Sequence, residues 1–199
     1  MLPDKSLSFT ATLSSCGSPI VVLGEWARGS VVAAHPTLDP LRATLIDAES
    51  ALGAMAGSPD SFEHDREVGL IDFEVLEGIE PVLLYFRHSN GAYRLYVRSG
   101  RHMGEGVFST SHGLLITRPI DRKDPPLWTL RDAASGSSFT LPQVTGNSID
   151  VQLAAAQTGE GVALNALGLS AGYLAISSPP LASLTLEIAA TEVDWLSAS

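Results

Sequence analysis

Leu84-Tyr85-Phe86-Arg87-His88-Ser89-Asn90-Gly91-Ala92-Tyr93-Arg94-Leu95-Tyr96-Val97 is the stretch that decides the fold. Asn-Gly tolerates positive φ at both centres of a two-residue turn, which makes it a strong hairpin signal. With the turn at Asn90-Gly91, Ser89 faces Ala92 and Arg87 faces Arg94. Side chains alternate along strands, so Leu84, Phe86, His88, Tyr93, Leu95 and Val97 share one face and are expected in the core. Leu83, Tyr85, Arg87, Arg94, Tyr96 and Arg98 share the other.

Like charges directly opposed across strands repel, so Arg87 and Arg94 need a neutraliser. Asp72 and Glu74 could supply it if their segment paired antiparallel with 81–88. An anionic ligand or an acidic partner surface is the other solution, since Arg and Tyr are favoured at binding hot spots. The candidate binding residues are therefore Tyr85, Arg87, Arg94, Tyr96 and Arg98, joined by Arg101 and His102 of the next loop.

Outward from this hairpin the chain reads as short strands at regular spacing. Leu7, Phe9, Ala11 and Leu13 alternate with Ser and Thr, and Ile20–Leu23 and the stretch around Val31-Val32 follow. Further candidates are 70–77, 107–108, 114–117, 127–131, 149–153, 162–164, 173–176 and 184–188, with 138–141 able to pair back on 127–131. Such spacing, broken by Gly, Pro, Ser and Asn, predicts an antiparallel β-sandwich or barrel. One amphipathic helix is predicted near 40–56. Asp39 and Pro40 suit its start, and Leu41, Leu45, Ala48, Leu52 and Met55 fall on one face. The fold class is thus mainly β in a single globular domain over 1–199, with polar residues 57–66 as the one internal linker.

His112-Gly113-Leu114-Leu115-Ile116 echoes Ala171-Gly172-Tyr173-Leu174-Ala175-Ile176, and each precedes a Trp, at 128 and 195. Gly91-Ala92-Tyr93-Arg94-Leu95 offers a third, fainter copy. Across residues 90–199 this resembles the threefold pattern of β-trefoil lectins and inhibitors, and a trefoil is the alternative architecture.

The 199 residues include 45% hydrophobic and 17% charged types, enough apolar material for a packed core. The net charge of −10 argues against general nucleic-acid binding, which depends on cationic neutralisation of phosphates. That charge is uneven: residues 85–123 carry seven cations against two acids, a net +5, leaving −15 elsewhere. A charge-polarised surface steers association with a partner. Arginine outnumbers lysine ten to two, a compositional hint of a bacterial or phage gene.

Cys16 is the single cysteine, so no intrachain disulfide or thiolate metal cage can form. Leu13-Ser14-Ser15-Cys16 matches a lipid-attachment motif, but its alternating surroundings lack the continuous apolar stretch of a secretory segment. A cytoplasmic location and no membrane partner are expected.

Gly168-Leu169-Ser170-Ala171-Gly172 fits the Gly-x-Ser-x-Gly nucleophile pattern, which requires a strand turning into a helix and a histidine later in the chain. The sequence after Ser170 looks like strand, and the last histidine is His112. His35, His64, His88, His102 and His112 form no helical zinc pair, although His102, Glu105, Ser109 or Ser111 and His112 could meet at one loop cluster. No cofactor is expected. The expected function is a non-catalytic protein-binding module (an inhibitor, immunity or assembly protein) acting through the basic-aromatic hairpin. The alternatives are a structural subunit of a phage or secretion particle, able to self-associate, and a carbohydrate-binding trefoil.

Overall fold

The computed structural model describes residues 4–35, 44–121 and 123–193. Its strands are β1 (Phe9–Ser15), β2 (Ser18–Val22), β3 (Ala27–Gly29), β4 (Val32–His35), β5 (Thr44–Asp47), β6 (Leu52–Met55), β7 (Phe73–Val75) and β8 (Leu84–Ser89). They continue with β9 (Ala92–Val97), β10 (Gly106–Ser109), β11 (Leu115–Arg118), β12 (Trp128–Asp132), β13 (Ser148–Ala155), β14 (Val162–Leu167), β15 (Ala171–Ile176) and β16 (Leu184–Thr191). Helix α1 spans Pro59–Glu67.

Asn90 and Gly91 both take positive φ, 53° and 79°, and the hairpin forms in the expected register, with Arg87 opposite Arg94. That hairpin is one third of a closed barrel. β1 pairs with β8, β8 with β9, β9 with β12, β12 with β13, β13 with β16, and β16 returns to β1, all antiparallel. Closure leaves no barrel strand with an unpaired edge. The inward faces of these strands fill the barrel with Phe9, Leu13, Phe86, Tyr93, Leu95, Trp128, Leu153 and Leu186. Phe9 stacks on Phe86 at 4.8 Å, and Tyr93 meets Phe9 edge-on at 5.4 Å. Each such side chain contributes roughly 1.5–3 kcal/mol on leaving water.

Three hairpins cap one end: β2 with β6, β10 with β11, and β14 with β15. They join in a ring. β6 pairs with β15, Ala51 bridges to Ile116, and Leu114 bridges to Ala175. One backbone hydrogen bond recurs at each junction: Thr117 N–H to Ser50 O, Ile176 N–H to Gly113 O and Ala56 N–H to Ser170 O, all 2.8 Å. Six barrel strands and three capping hairpins in this chain order form the β-trefoil arrangement.

The repeats at 114–116 and 173–176 occupy the matching hairpin strands β11 and β15, and Trp128 opens the barrel strand after the first of them. The copy at 91–95 lies instead in barrel strand β9. The third counterpart is β6, where Gly53 and Ala54 replace large residues because Gly53 lies against the Gly172 carbonyl and the Leu23 side chain. Trp195 lies outside the described residues.

The helix predicted near 40–56 is not there. Residues 40–43 lie outside the described ones, while 44–47 and 52–55 are strands. Ala48, Leu52 and Met55 are buried as expected, but Leu45 is 68% exposed. Their spacing serves two strands with different neighbours, β4 for one and β2 with β15 for the other. The helix falls in the segment read as a linker. Ser58 caps it by accepting from Ser61 N–H at 3.3 Å, Pro59 opens it, and it buries only Phe62 and Asp65. A helix that buries so little has no apolar stripe to detect. Residues 138–141 make a single bridge, Ser138 to Arg131, before a 3₁₀ turn at Leu141–Gln143.

The first unit is enlarged. Residues 16–83 separate its two barrel strands, against 98–127 in the second unit and 156–183 in the third. The extra chain builds β3–β7, β4–β5 and α1, and packs on the cap through a second core that includes Leu23, Val31, Phe62, Ile71, Phe73, Leu114 and Tyr173.

Candidate functional site

Strand alternation does place Tyr85, Arg87, Arg94 and Tyr96 on the outer wall of the barrel, yet that wall is covered. Tyr85 and Tyr96 are 4% and 1% exposed, with ring centroids 6.3 Å apart. The Tyr85 hydroxyl donates to Val193 O at 3.1 Å, and the Tyr96 hydroxyl approaches Asp124 Oδ1 at 3.4 Å. Arg94 donates to the carbonyl of Pro125. The segment leading into β12 thus folds back over the hairpin, and no pattern within the hairpin itself signals this. Arg87 stays exposed, with its charge near the Tyr96 hydroxyl. Burial pushes the Tyr96 hydroxyl above its usual pKa, with Arg87 pulling against it.

Asp72 and Glu74 do not neutralise the arginine pair. Glu74 lies in β7, which pairs with β3, so it meets Arg66 at 3.3 Å and Arg28 at 3.8 Å, while Asp72 precedes that strand. The neighbour of β8 on its other side is β1.

Arg101 and His102 belong to a separate place. Arg101 N–H donates to Glu25 Oε1 and its guanidinium to Gly24 O at 2.6 Å, which ties the β9–β10 turn to residues 24–25. His102 Nδ1 lies 2.8 Å from Glu105 Oε2 and 3.1 Å from Thr117 Oγ1. His112 sits in the turn at the far end of the β10–β11 hairpin, so His102 and His112 do not converge. Arg98 donates its backbone N–H to Leu83 O at 2.7 Å. The seven candidate residues therefore split between the barrel wall, where Arg87 alone stays exposed, and an interloop clasp of Arg101 and His102.

Ser170 lies 5% exposed where the β14–β15 turn enters β15, so its glycine-flanked motif bends strand into strand. Its backbone N–H and that of Leu169 donate to Asp65 Oδ2 at 2.9 and 2.8 Å. Asp65 is fully buried on α1, and its backbone carbonyl accepts from Leu70 N–H at 2.8 Å. One residue thereby fixes two exposed apolar loops beside each other: Val68 and Leu70, 53% and 48% exposed, and Leu169, 78% exposed. Around them lies the most acidic stretch of the chain. Residues 57–80 hold eight carboxylates against Arg66 alone. Clefts of about 690 and 560 Å³ flank the Arg66–Glu74 contact, the larger one floored by Ile71 and Phe73 and edged by Glu63, Glu67 and Asp72. The polar, turn-rich composition of 57–66 reads as a linker and hides this face in the sequence; the carboxylate density of 57–80 is the one signal available there.

Another cleft, of about 570 Å³, opens between the second and third units beside Arg94 and Trp128. Among the described residues there is no group of three or more His, Cys, Asp or Glu side chains able to hold a metal ion. No helix is long and apolar enough to cross a membrane among those residues. No protein-family model matches the chain, and no curated protein matches its sequence.

Proposed function

We propose that this chain is a non-catalytic protein-binding module in which the trefoil barrel is a rigid frame and the enlarged first unit is the recognition element. The observation that carries this reading is the apolar face of Val68, Leu70 and Leu169, held on Asp65 and bordered by carboxylates. Exposed apolar side chains on two loops that share one anchor, with a polar rim, are a mark of an interaction site. The partner surface that fits is apolar at its centre and basic around it.

The test is a triple variant, Val68→Ser, Leu70→Ser and Leu169→Ser, compared with Arg87→Glu plus Arg98→Glu. A partner co-purified from the native host should be lost with the first and kept with the second, both variants melting close to the parent. Loss only with the arginine variant would move the site back to the hairpin.

A second reading, a self-associating structural subunit, draws on charge: the net −7 over 57–80 of one copy complements the net +5 over 85–123 of another. Sedimentation at low and high salt separates the two, because head-to-tail assembly should dissolve as salt screens it. The carbohydrate reading has the least support. All four tyrosines and Trp128 are buried, leaving Trp26 as the one half-buried ring among the described residues that could stack on a sugar.

A further inference from the structure

The cleft between the second and third units is walled by the segment before β12 on one side and by the β13–β14 turn on the other. Its volume, about 570 Å³, falls within the range of sites that hold small molecules. Trp128 lines it and is 1% exposed, yet its indole Nε1–H finds no acceptor among the described residues. Buried donors are nearly always satisfied, so one beside a cleft points to an acceptor delivered from outside.

The charges around the cleft sort in pairs. Arg94 and Lys123 contribute two cations, Asp124 and Glu160 two carboxylates. None of the four makes an ion pair among the described residues. Arg94 donates one N–H to the Pro125 carbonyl, which leaves the rest of its fork for a ligand. A site holding both signs beside an apolar floor, here Leu127 and Ile176, suits a molecule that is itself zwitterionic and partly apolar. A purely anionic ligand would meet Asp124 and Glu160, and a purely cationic one would meet Arg94 and Lys123.

We propose that this cleft binds a short zwitterionic peptide with apolar side chains. Its carboxylate lies at Arg94 and Lys123, where an arginine fork matches carboxylate geometry. Its ammonium lies at Glu160 and Asp124, an oxygen of the peptide accepts the Trp128 N–H, and the side chains cover Leu127 and Ile176. This inference is independent of the apolar face on the first unit.

Calorimetric titration with dileucine, N-acetyl-dileucine and dileucine amide tests it on the full chain. Dileucine should bind with a Kd below about 1 mM, and capping either terminus should weaken it at least tenfold. Glu160→Gln should abolish the penalty for blocking the amine on a chain with an unchanged melting temperature. Arg94→Met, which melts a few degrees lower for loss of its bond to the Pro125 carbonyl, should abolish the penalty for blocking the carboxylate. Trp128→Phe should weaken all three peptides. No saturable binding of dileucine, or equal binding of all three peptides, overturns the proposal. Because Glu160 is exposed, its variant remains informative even if replacing Trp128 disturbs the barrel.

Discussion

Asp65 Oδ2 lies 2.9 Å from the backbone nitrogen of Ser170, a hydrogen bond joining residues 105 apart in sequence. It ties α1 of the first unit to the hairpin turn of the third. Together with the bond from Leu169 it satisfies two backbone donors with one side-chain oxygen, and leaving a buried donor unpaired costs about 1–3 kcal/mol. Replacing Asp65 with Ala should lower stability by about 3 kcal/mol or more, read as a lower urea midpoint. Asp65→Asn keeps one acceptor oxygen and should lose less. Equal stability of Asp65→Ala and the parent would mean that the anchor carries no energy.

Gly53 should tolerate nothing larger. A Cβ there would collide with the Gly172 carbonyl and with both terminal carbons of Leu23. Since β6 is held between β2 and β15 at this point, neither strand can yield alone. Gly53→Ala should cost about 1–3 kcal/mol by overpacking, measured by thermal unfolding, with the loss concentrated in amide protection of β6 and β15.

Arg87 and Arg94 occupy one cross-strand pair but should behave differently. Arg94 is half-buried and bonded to the Pro125 carbonyl, whereas Arg87 is exposed. Arg94→Ala should cost about 1–2 kcal/mol, through the lost bond and the lost cover of its stem. Arg87→Ala should cost under about 1 kcal/mol. The reverse order in chemical denaturation would mean that the segment at 123–126 does not depend on Arg94.

Alkaline conditions should destabilise the chain. Burial raises the hydroxyl pKa of Tyr93, Tyr96 and Tyr173 above the ordinary value. Unfolded tyrosine ionises near pH 10, so above that pH the unfolded state loses protons while the folded state keeps them. Stability is complete below about pH 10 and falls as pH rises through the folded values. The melting temperature should hold up to about pH 10 and drop above it, and Tyr173→Phe should soften the decline.

The hairpin at 84–97 is legible to the residue because turn chemistry and alternation are local, and its register in the structure is the one they dictate. The echo between 114–116 and 173–176 was legible because large apolar residues fill matching places in the cap. Its third copy was not, since Gly53 answers to the Gly172 carbonyl and Leu23, which are distant in sequence. The helix was misplaced for a related reason: Ala48, Leu52 and Met55 repeat at helical spacing while serving separate strand neighbours. The burial of Tyr85 and Tyr96 depends on Asp124, Pro125 and Val193, so the hairpin read alone looked like an open face. The apolar residues around Asp65 come from two segments about a hundred positions apart, and their proximity exists only after folding.

The β1–β16 seam also imposes an order in time. The barrel closes when its first strand meets its last, and β1 also pairs with β8, so β1 can find only one of its two barrel neighbours until residue 191 has left the ribosome. Contacts of such long reach form slowly, because their loop entropy must be overcome before any contact is gained. In the meantime β1, with Phe9, Ala11 and Leu13 along it, presents an unpaired apolar edge. A growing chain of this design should be a client of chaperones that shield nascent strands, and its yield should depend on translation speed more than its finished stability would suggest.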